Sequence, residues 1–203
     1  WQAKQVAKGD YSQSVSYLGE FSEAFNTMTK QLKEREEELE EEAYRDKLTG
    51  IGNRHLFHER AETMLATGEK IVFCYCDLDH LKYVNDYFGH QEGDQYLKHF
   101  VDIVKANIRP GDLFVRLGGD EFAILLGGID DISACEQLLR RLLAAVAAPF
   151  SIGGQSVRVS ASIGVTLCPG DPSEPEQLMR NADQAMYRAK QEGRNAYQFF
   201  ASE

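Results

Sequence analysis

Two apolar runs separated by a double glycine constrain this chain more than any other stretch. Leu113-Phe-Val115 leads into Arg116-Leu-Gly-Gly-Asp-Glu-Phe122, and Ala123-Ile-Leu-Leu126 comes after it. The runs read as strands and Gly118-Gly119 as the turn of a hairpin. That turn carries two adjacent carboxylates, Asp120 and Glu121. Carboxylates so placed repel each other unless a cation sits against them, and clustered carboxylate oxygens are what a hard divalent cation takes. A second acidic pair, Asp77-Leu-Asp79, comes after the apolar run Ile71-Val-Phe-Cys-Tyr-Cys76 and so stands at the end of a buried strand.

The chain has 203 residues, enough for one ordinary domain plus an extension, and its 43% hydrophobic content provides a sizeable core. A net charge of -10 argues against a general nucleic-acid binder, which needs a basic footprint. A nucleotide substrate needs only a few local cations. Much of the acidity is itself local, with seven glutamates between Glu34 and Glu42. The four cysteines, Cys74, Cys76, Cys135 and Cys168, lack metal-site spacing. Cys74 and Cys76 share one face of the first core strand and read as small buried hydrophobes, which favours a reducing cytoplasm. There is no signal peptide, and no apolar run approaches the roughly 18 residues of a membrane-spanning helix.

Residues 1–45 differ from the rest. Leu18, Phe21, Phe25, Met28 and Leu32 step by 3, 4, 3 and 4, a heptad seam. The seam then decays, because Arg35 and Glu42 fall where apolar residues belong and only Leu39 keeps the register. One reading is an amphipathic helix packed on its own domain. The other is a parallel dimeric helix, favoured by the dense charge after Leu32. From Asp46 the pattern is that of a compact α/β domain over residues 46–203. The periodicities predict a helix over 54–67, a strand over 71–77, a helix over 92–108 and hairpin strands over 113–117 and 122–127. A helix over 131–147, a strand over 157–167, a helix over 174–191 and a strand over 196–200 complete it. The fold class expected is an α+β sandwich, a mixed central sheet with a β-hairpin covered by helices.

The order of motifs resembles the GGDEF family of diguanylate cyclases. Asp46-Lys-Leu-Thr-Gly50 with Asn53-Arg54, Asp77-Leu-Asp-His-Leu-Lys82, Asn85-Asp86, Gly89-His90 and Gly93-Asp94 keep the family's spacing. So do Arg116 to Phe122 and Tyr187-Arg-Ala-Lys-Gln-Glu-Gly-Arg-Asn195. The resemblance implies a palm-like nucleotidyl-cyclase fold and the condensation of two GTP into cyclic di-GMP with release of pyrophosphate. It implies Mg²⁺, with Mn²⁺ as an alternative, held by Asp77, Asp120, the carbonyl of Leu78 and Glu121. Asp120, Glu121 and Lys82 are the implied catalytic residues, with Asp120 the family's proton acceptor. Lys82, Lys190 and Arg194 are similar to the family's triphosphate contacts, and Asn85 and Asp94 to its guanine contacts. A carboxylate accepts from both N1–H and the 2-amino group of guanine, donors that adenine lacks, so Asp94 selects guanine. His90 and the glycines Gly118 and Gly119 complete the implied substrate site; His90 reads equally as a turn-stabilising histidine.

Arg109-Pro-Gly-Asp112 has five residues between its aspartate and Gly118, the place of the family's inhibitory product site. Arginine forks to guanine O6 and N7 while aspartate accepts from the opposite edge. The same residues also read as a helix-terminal arginine before a Pro-Gly turn. Arg140 matches a secondary contact of some members. Upstream, Val6-Ala-Lys-Gly-Asp10 and Leu18 to Met28 resemble the second half of a HAMP signalling module, with Ser16-Tyr17 in place of the usual Asp-Glu pair. This implies a homodimer joined through the N-terminal helix, and a cytoplasmic domain whose full-length parent is anchored in a bacterial inner membrane by upstream segments. A catalytically silent member that binds GTP or cyclic di-GMP is the alternative, although such members usually lose the hairpin carboxylates or glycines and none is lost here.

Overall fold

A computed structural model describes residues 2–12, 14, 19–129, 131–168 and 174–201. The chain divides after Tyr44 into two compact units. The first holds α1 (Gln2–Val6) and α2 (Glu20–Tyr44). Phe25 of α2 is buried against Val6, with Tyr11 beside them, while Phe21, Met28, Leu32 and Leu39 are exposed. The seam read from the sequence therefore lies along α2 with one member turned inward. Leu18 and the Ser16-Tyr17 pair lie outside the described residues. Ion pairs Lys30–Glu34 and Lys33–Glu37, each 3.7 Å and one helical turn apart, add the small support that such spacing gives.

The second unit is built around the apolar run at Ile71. In order it contains β1 (Gly52–Asn53), α3 (Arg54–Thr67), β2 (Ile71–Asp79), α4 (Leu81–Phe88), α5 (His90–Asn107), β3 (Leu113–Gly118) and β4 (Glu121–Gly127). Then come α6 (Ile132–Val146), β5 (Phe150–Ile152), β6 (Gln155–Val157), β7 (Ser160–Cys168), α7 (Pro175–Gln191) and β8 (Ala196–Phe199). A six-stranded sheet runs β1-β3-β4-β2-β7-β8, and β5 and β6 form a small hairpin apart from it. β2 pairs antiparallel with both β4 and β7, while the outer pairs β1–β3 and β7–β8 are parallel. It is the mixed, helix-covered sheet expected.

Every residue of β2 is buried, which explains a near-continuous apolar run instead of alternation. Val72, Cys74, Cys76 and Leu78 face Phe100, Val104 and Leu139 of α5 and α6. Ile71, Phe73 and Tyr75 face Phe57 and Ala61 of α3 and Leu178, Ala182 and Met186 of α7. Burial pushes the Cys76 thiol up to about 12, with Asp77 adding to it, and the Cys135 thiol up to about 11. Both are neutral at ordinary pH, as small core hydrophobes should be.

Three local features differ from the expectation, the first being the two-residue edge strand β1, which the periodicities do not predict. α4 stands where the sequence reading places no helix, because its eight residues, with Leu81 and Val84 buried one turn apart, are too few to separate from other short patterns. The strand expected over 157–167 divides, because Gly153-Gly154 turns the chain back in the β5–β6 hairpin and β7 starts only at Ser160. A two-residue Gly-Gly turn is itself a hairpin signal.

Candidate functional site

The site begins where β2 and β4 meet. Asp77 lies opposite Glu121 in the antiparallel register, and the Leu78 amide donates to the Asp120 carbonyl at 3.0 Å. The hairpin turn is thus locked beside the acidic end of β2. Gly119 has φ 53°, in the left-handed region that favours glycine, and the β3–β4 ladder shifts register between Arg116 and Gly118. Arg116 closes this loop: Nε and Nη2 donate to the Gly119 carbonyl at 3.0 and 2.7 Å, and Nη1 to Asp46 Oδ1 at 3.2 Å. Asp46 in turn accepts from the Thr49 amide and hydroxyl. Burial pushes the Asp46 carboxyl up, but the Thr49 bonds and Arg116 outweigh it and hold the group below its ordinary value. The junction motif and the glycine turn are therefore one bonded structure.

Asp77 is nearly buried, and its carboxyl is raised. Burial is the main cause; Lys190 opposes it, while the carboxylates of Asp120 and Asp79 add to it. Lys190 Nζ stands 2.9 Å from Asp77 Oδ1. Crowded carboxylates with incomplete neutralisation fit a hard divalent cation. Among the described residues no group of three or more His, Cys, Asp or Glu gathers to hold a metal alone. Two carboxylates and the Leu78 carbonyl would leave coordination places for phosphate oxygens and water, which suits Mg²⁺. The Tyr75 phenol is raised, first by burial and then by the Glu121 carboxylate.

One open cleft of about 450 Å³ brings together Asp77, Leu78, Asp120, Lys82, Lys190 and Arg194. Three of the four metal-ligand candidates and all three triphosphate candidates thus share a single cavity. Asn85, His90, Asp94, Gly118, Gly119 and Glu121 do not line it. Asn85 lies on α4, and Gly93 of α5 packs against its amide: a Cβ on Gly93 would sit 2.9 Å from Asn85 Cγ and closer still to Oδ1. Asp94 is next in sequence to Gly93, and His90 is the first residue of α5; both are exposed.

A second cavity of about 420 Å³ is lined by Arg109, Asp112, Asn107 and Arg141, among others. Arg109 Nη2 donates to the Gly127 carbonyl at 2.8 Å, and its amide donates to Asp112 Oδ2 at 2.9 Å. Arg140 does not line the cavity; it bonds the Tyr197 hydroxyl and Glu136. Arg141, given no role by the sequence reading, does line it and bonds Asn107. Adjacent helical residues point about 100° apart, so only one of the pair faces a given cavity. Asp79 also had no role of its own in that reading.

Residues 43–196 match the family model described as diguanylate cyclase, GGDEF domain. The chain belongs to this family. It is 40% identical over 169 residues to the bifunctional diguanylate cyclase/cyclic di-GMP phosphodiesterase MucR of Pseudomonas aeruginosa, covering 81% of this chain and 24% of MucR. The chain thus spans about a quarter of that relative's length. The solved GGDEF domain of TpbB from Pseudomonas aeruginosa superposes with a TM-score of 0.74 at 32% identity, over 78% of this chain and 95% of that one. The coiled coil and GGDEF domain of DgcB from Caulobacter crescentus, solved in complex with c-di-GMP, gives 0.78 at 26% identity over 85% and 94%.

Proposed function

We propose that this chain is a diguanylate cyclase that condenses two GTP molecules into cyclic di-GMP, with pyrophosphate leaving. The observation that carries this reading is the single cleft holding Asp77, Asp120, Lys82, Lys190 and Arg194. In each half-reaction the 3′-hydroxyl of one GTP attacks the α-phosphate of the other, a new P–O bond forms and the bond to the β,γ-pyrophosphate breaks. Such transfer is mostly positioning and charge stabilisation. Asp77, Asp120, the Leu78 carbonyl and Glu121 would hold Mg²⁺ or Mn²⁺, which would neutralise phosphate charge and favour ionisation of the attacking hydroxyl. Lys82, Lys190 and Arg194 bind the triphosphate, and the Asp120 carboxylate takes the hydroxyl proton. Asn85 and Asp94 read the guanine edge, with Gly93 leaving room for the Asn85 amide.

Each domain holds one GTP, so two domains must face one another. The exposed apolar residues of α2 support a parallel helix pair as the dimer element, with residues 1–45 as HAMP remnant and signalling helix and 46–203 as the catalytic domain. Arg109 and Asp112, with Arg141 in the same cavity, form the product-binding inhibitory site; Arg140 joins it only if it leaves Tyr197. Among the described residues no helix is long and apolar enough to cross a membrane. Incubation of the purified chain with GTP and Mg²⁺, then chromatography of the products, tests the reading. Cyclic di-GMP and pyrophosphate are expected from GTP and no cyclic product from ATP. GTP left unreacted at every protein concentration would refute it.

A further inference from the structure

We propose that Asp79 is a positioning residue that fixes the phosphate-binding Arg194, and not a second metal ligand beside Asp77. The proposal rests on the reading of the cleft as a GTP site. Asp77 and Asp79 lie on the same face of β2, yet their oxygens are used differently. The Asp79 side chain is wholly buried, at 0% exposure. Its Oδ2 accepts from the Ser160 hydroxyl at 2.7 Å and the Asn195 amide at 3.3 Å, and its Oδ1 from the Ser162 hydroxyl at 2.9 Å. Arg194 Nε lies 3.8 Å from Oδ1. An ionised carboxylate has about four acceptor positions, so the protein itself takes most of what a metal would need.

The segment so held is an unusual one. α7 ends with the Arg194 amide donating to the Ala189 carbonyl at 3.1 Å, a bond that reverses the chain past Gly193. Gly193, Arg194 and Asn195 adopt φ of 120°, 65° and 49°. Non-glycine residues adopt this region rarely and persist in it only where the surroundings over-determine it. Asp79 supplies that determination, taking the Asn195 amide and facing the Arg194 guanidinium. The next residue, Ala196, pairs with Ser162, whose hydroxyl bonds the same carboxylate. Arg194 itself is half exposed and lines the cleft, so its free nitrogens stay available to a phosphate.

A double-mutant cycle in the full chain tests this, with binding of a non-hydrolysable GTP analogue as the readout. Asp79→Asn is nearly isosteric and keeps one acceptor oxygen, but it removes the charge facing Arg194. It should weaken binding about tenfold, the scale of one charge-assisted bond. Arg194→Ala should weaken it at least as much, and the double variant no further. In Asp79→Asn the GTP KM should rise while kcat and the Mg²⁺ concentration for half-activation stay near the parent's. Losses that multiply in the double variant, or a raised Mg²⁺ requirement, would overturn the assignment. If Asp79→Asn does not fold, Ser160→Ala with Ser162→Ala should give the same KM-only change, and an unchanged KM would count against the proposal. Hydrogen exchange of the Asn195 amide gives a readout independent of nucleotide. It should be slow in the parent and faster in Asp79→Ala, and equal rates would sink the positioning role. A parent that binds no GTP analogue but shows the exchange difference would refute the GTP reading alone.

Discussion

Lys190 Nζ approaches Asp77 Oδ1 to 2.9 Å, joining the end of α7 to the acidic end of β2. Lys190 only partly offsets the burial that raises the Asp77 carboxyl. Removing Asp77 therefore relieves an unfavourable buried charge and leaves a lysine that is partly in solvent. Asp77→Ala and Asp120→Ala should each lower cyclic di-GMP turnover roughly 10³-fold, the scale for a group that stabilises transferring charge. The thermal midpoint should stay within about 4 °C of the parent, below about 1 kcal/mol for a domain of this size. Product chromatography and thermal unfolding check both parts; near-parental turnover with normal stability would disprove the metal assignment.

Asp46 and Arg116 offer a test in pH. The Asp46 carboxyl is held below its ordinary 3.8, so the folded state binds its proton less readily than the unfolded chain does. Its contribution to stability is complete above 3.8 and is lost as pH falls through the lower folded value. Asp46→Asn keeps an acceptor for Thr49 but loses the charge facing Arg116. It should cost about 1–2 kcal/mol at pH 7, the worth of a partly buried charge-assisted bond. The gap between parent and variant in urea unfolding should close progressively as pH falls below 3.8. A gap that is constant with pH would show that the ion pair contributes nothing.

Much of this was legible from residue order, and the exceptions have physical causes. The nine buried residues of β2 announce themselves, because a strand covered on both faces shows unbroken apolarity. The hairpin was legible in Gly118-Gly119, and α3 in a run whose bounds coincide with the helix observed at Arg54–Thr67. α4 was not, since eight residues are fewer than the window over which helical spacing can be told from other short patterns. The division of labour between Asp77 and Asp79 was not legible either. It depends on Ser160, Ser162 and Asn195, which lie 81 to 116 residues away in sequence. Arg140 and Arg141 are equivalent as letters, and only the phase of α6 separates them.

Arg109→Ala should relieve inhibition by added cyclic di-GMP while leaving the initial rate close to the parent's. Arg109 also donates to the Gly127 carbonyl, so the variant loses one largely exposed hydrogen bond as well, worth about 0.5–1.5 kcal/mol. Arg141→Ala tests the same cavity from the α6 side and should raise the inhibition constant, whereas Arg140→Ala, whose partners are Tyr197 and Glu136, should change it less. Titration of product against initial rate decides; equal inhibition constants for parent and Arg109→Ala would remove the site.

The helix α2 should make the chain a parallel dimer whose turnover depends on helix phase. Phe21, Met28, Leu32 and Leu39 are exposed on it at 61, 48, 41 and 51%, while Phe25 is buried within its own unit. Its last turn contains no basic residue, and Glu40, Glu41 and Glu42 stand near the negative end of the helix dipole. Each such charge costs about 0.3–1 kcal/mol at low salt. A seam with few apolar members suits two packings that differ by only a few kcal/mol. Inserting four residues after Leu39 rotates the downstream residues by about 40° relative to the seam, and inserting one, two or three rotates them by about 100, 160 and 60° in one sense or the other. Turnover should vary non-monotonically across that series, because a misplacement of about 1 Å between reacting groups costs about 10²-fold in rate. A flat series, or a parent that is monomeric by light scattering at the assay concentration, would show that the helix does not control catalysis.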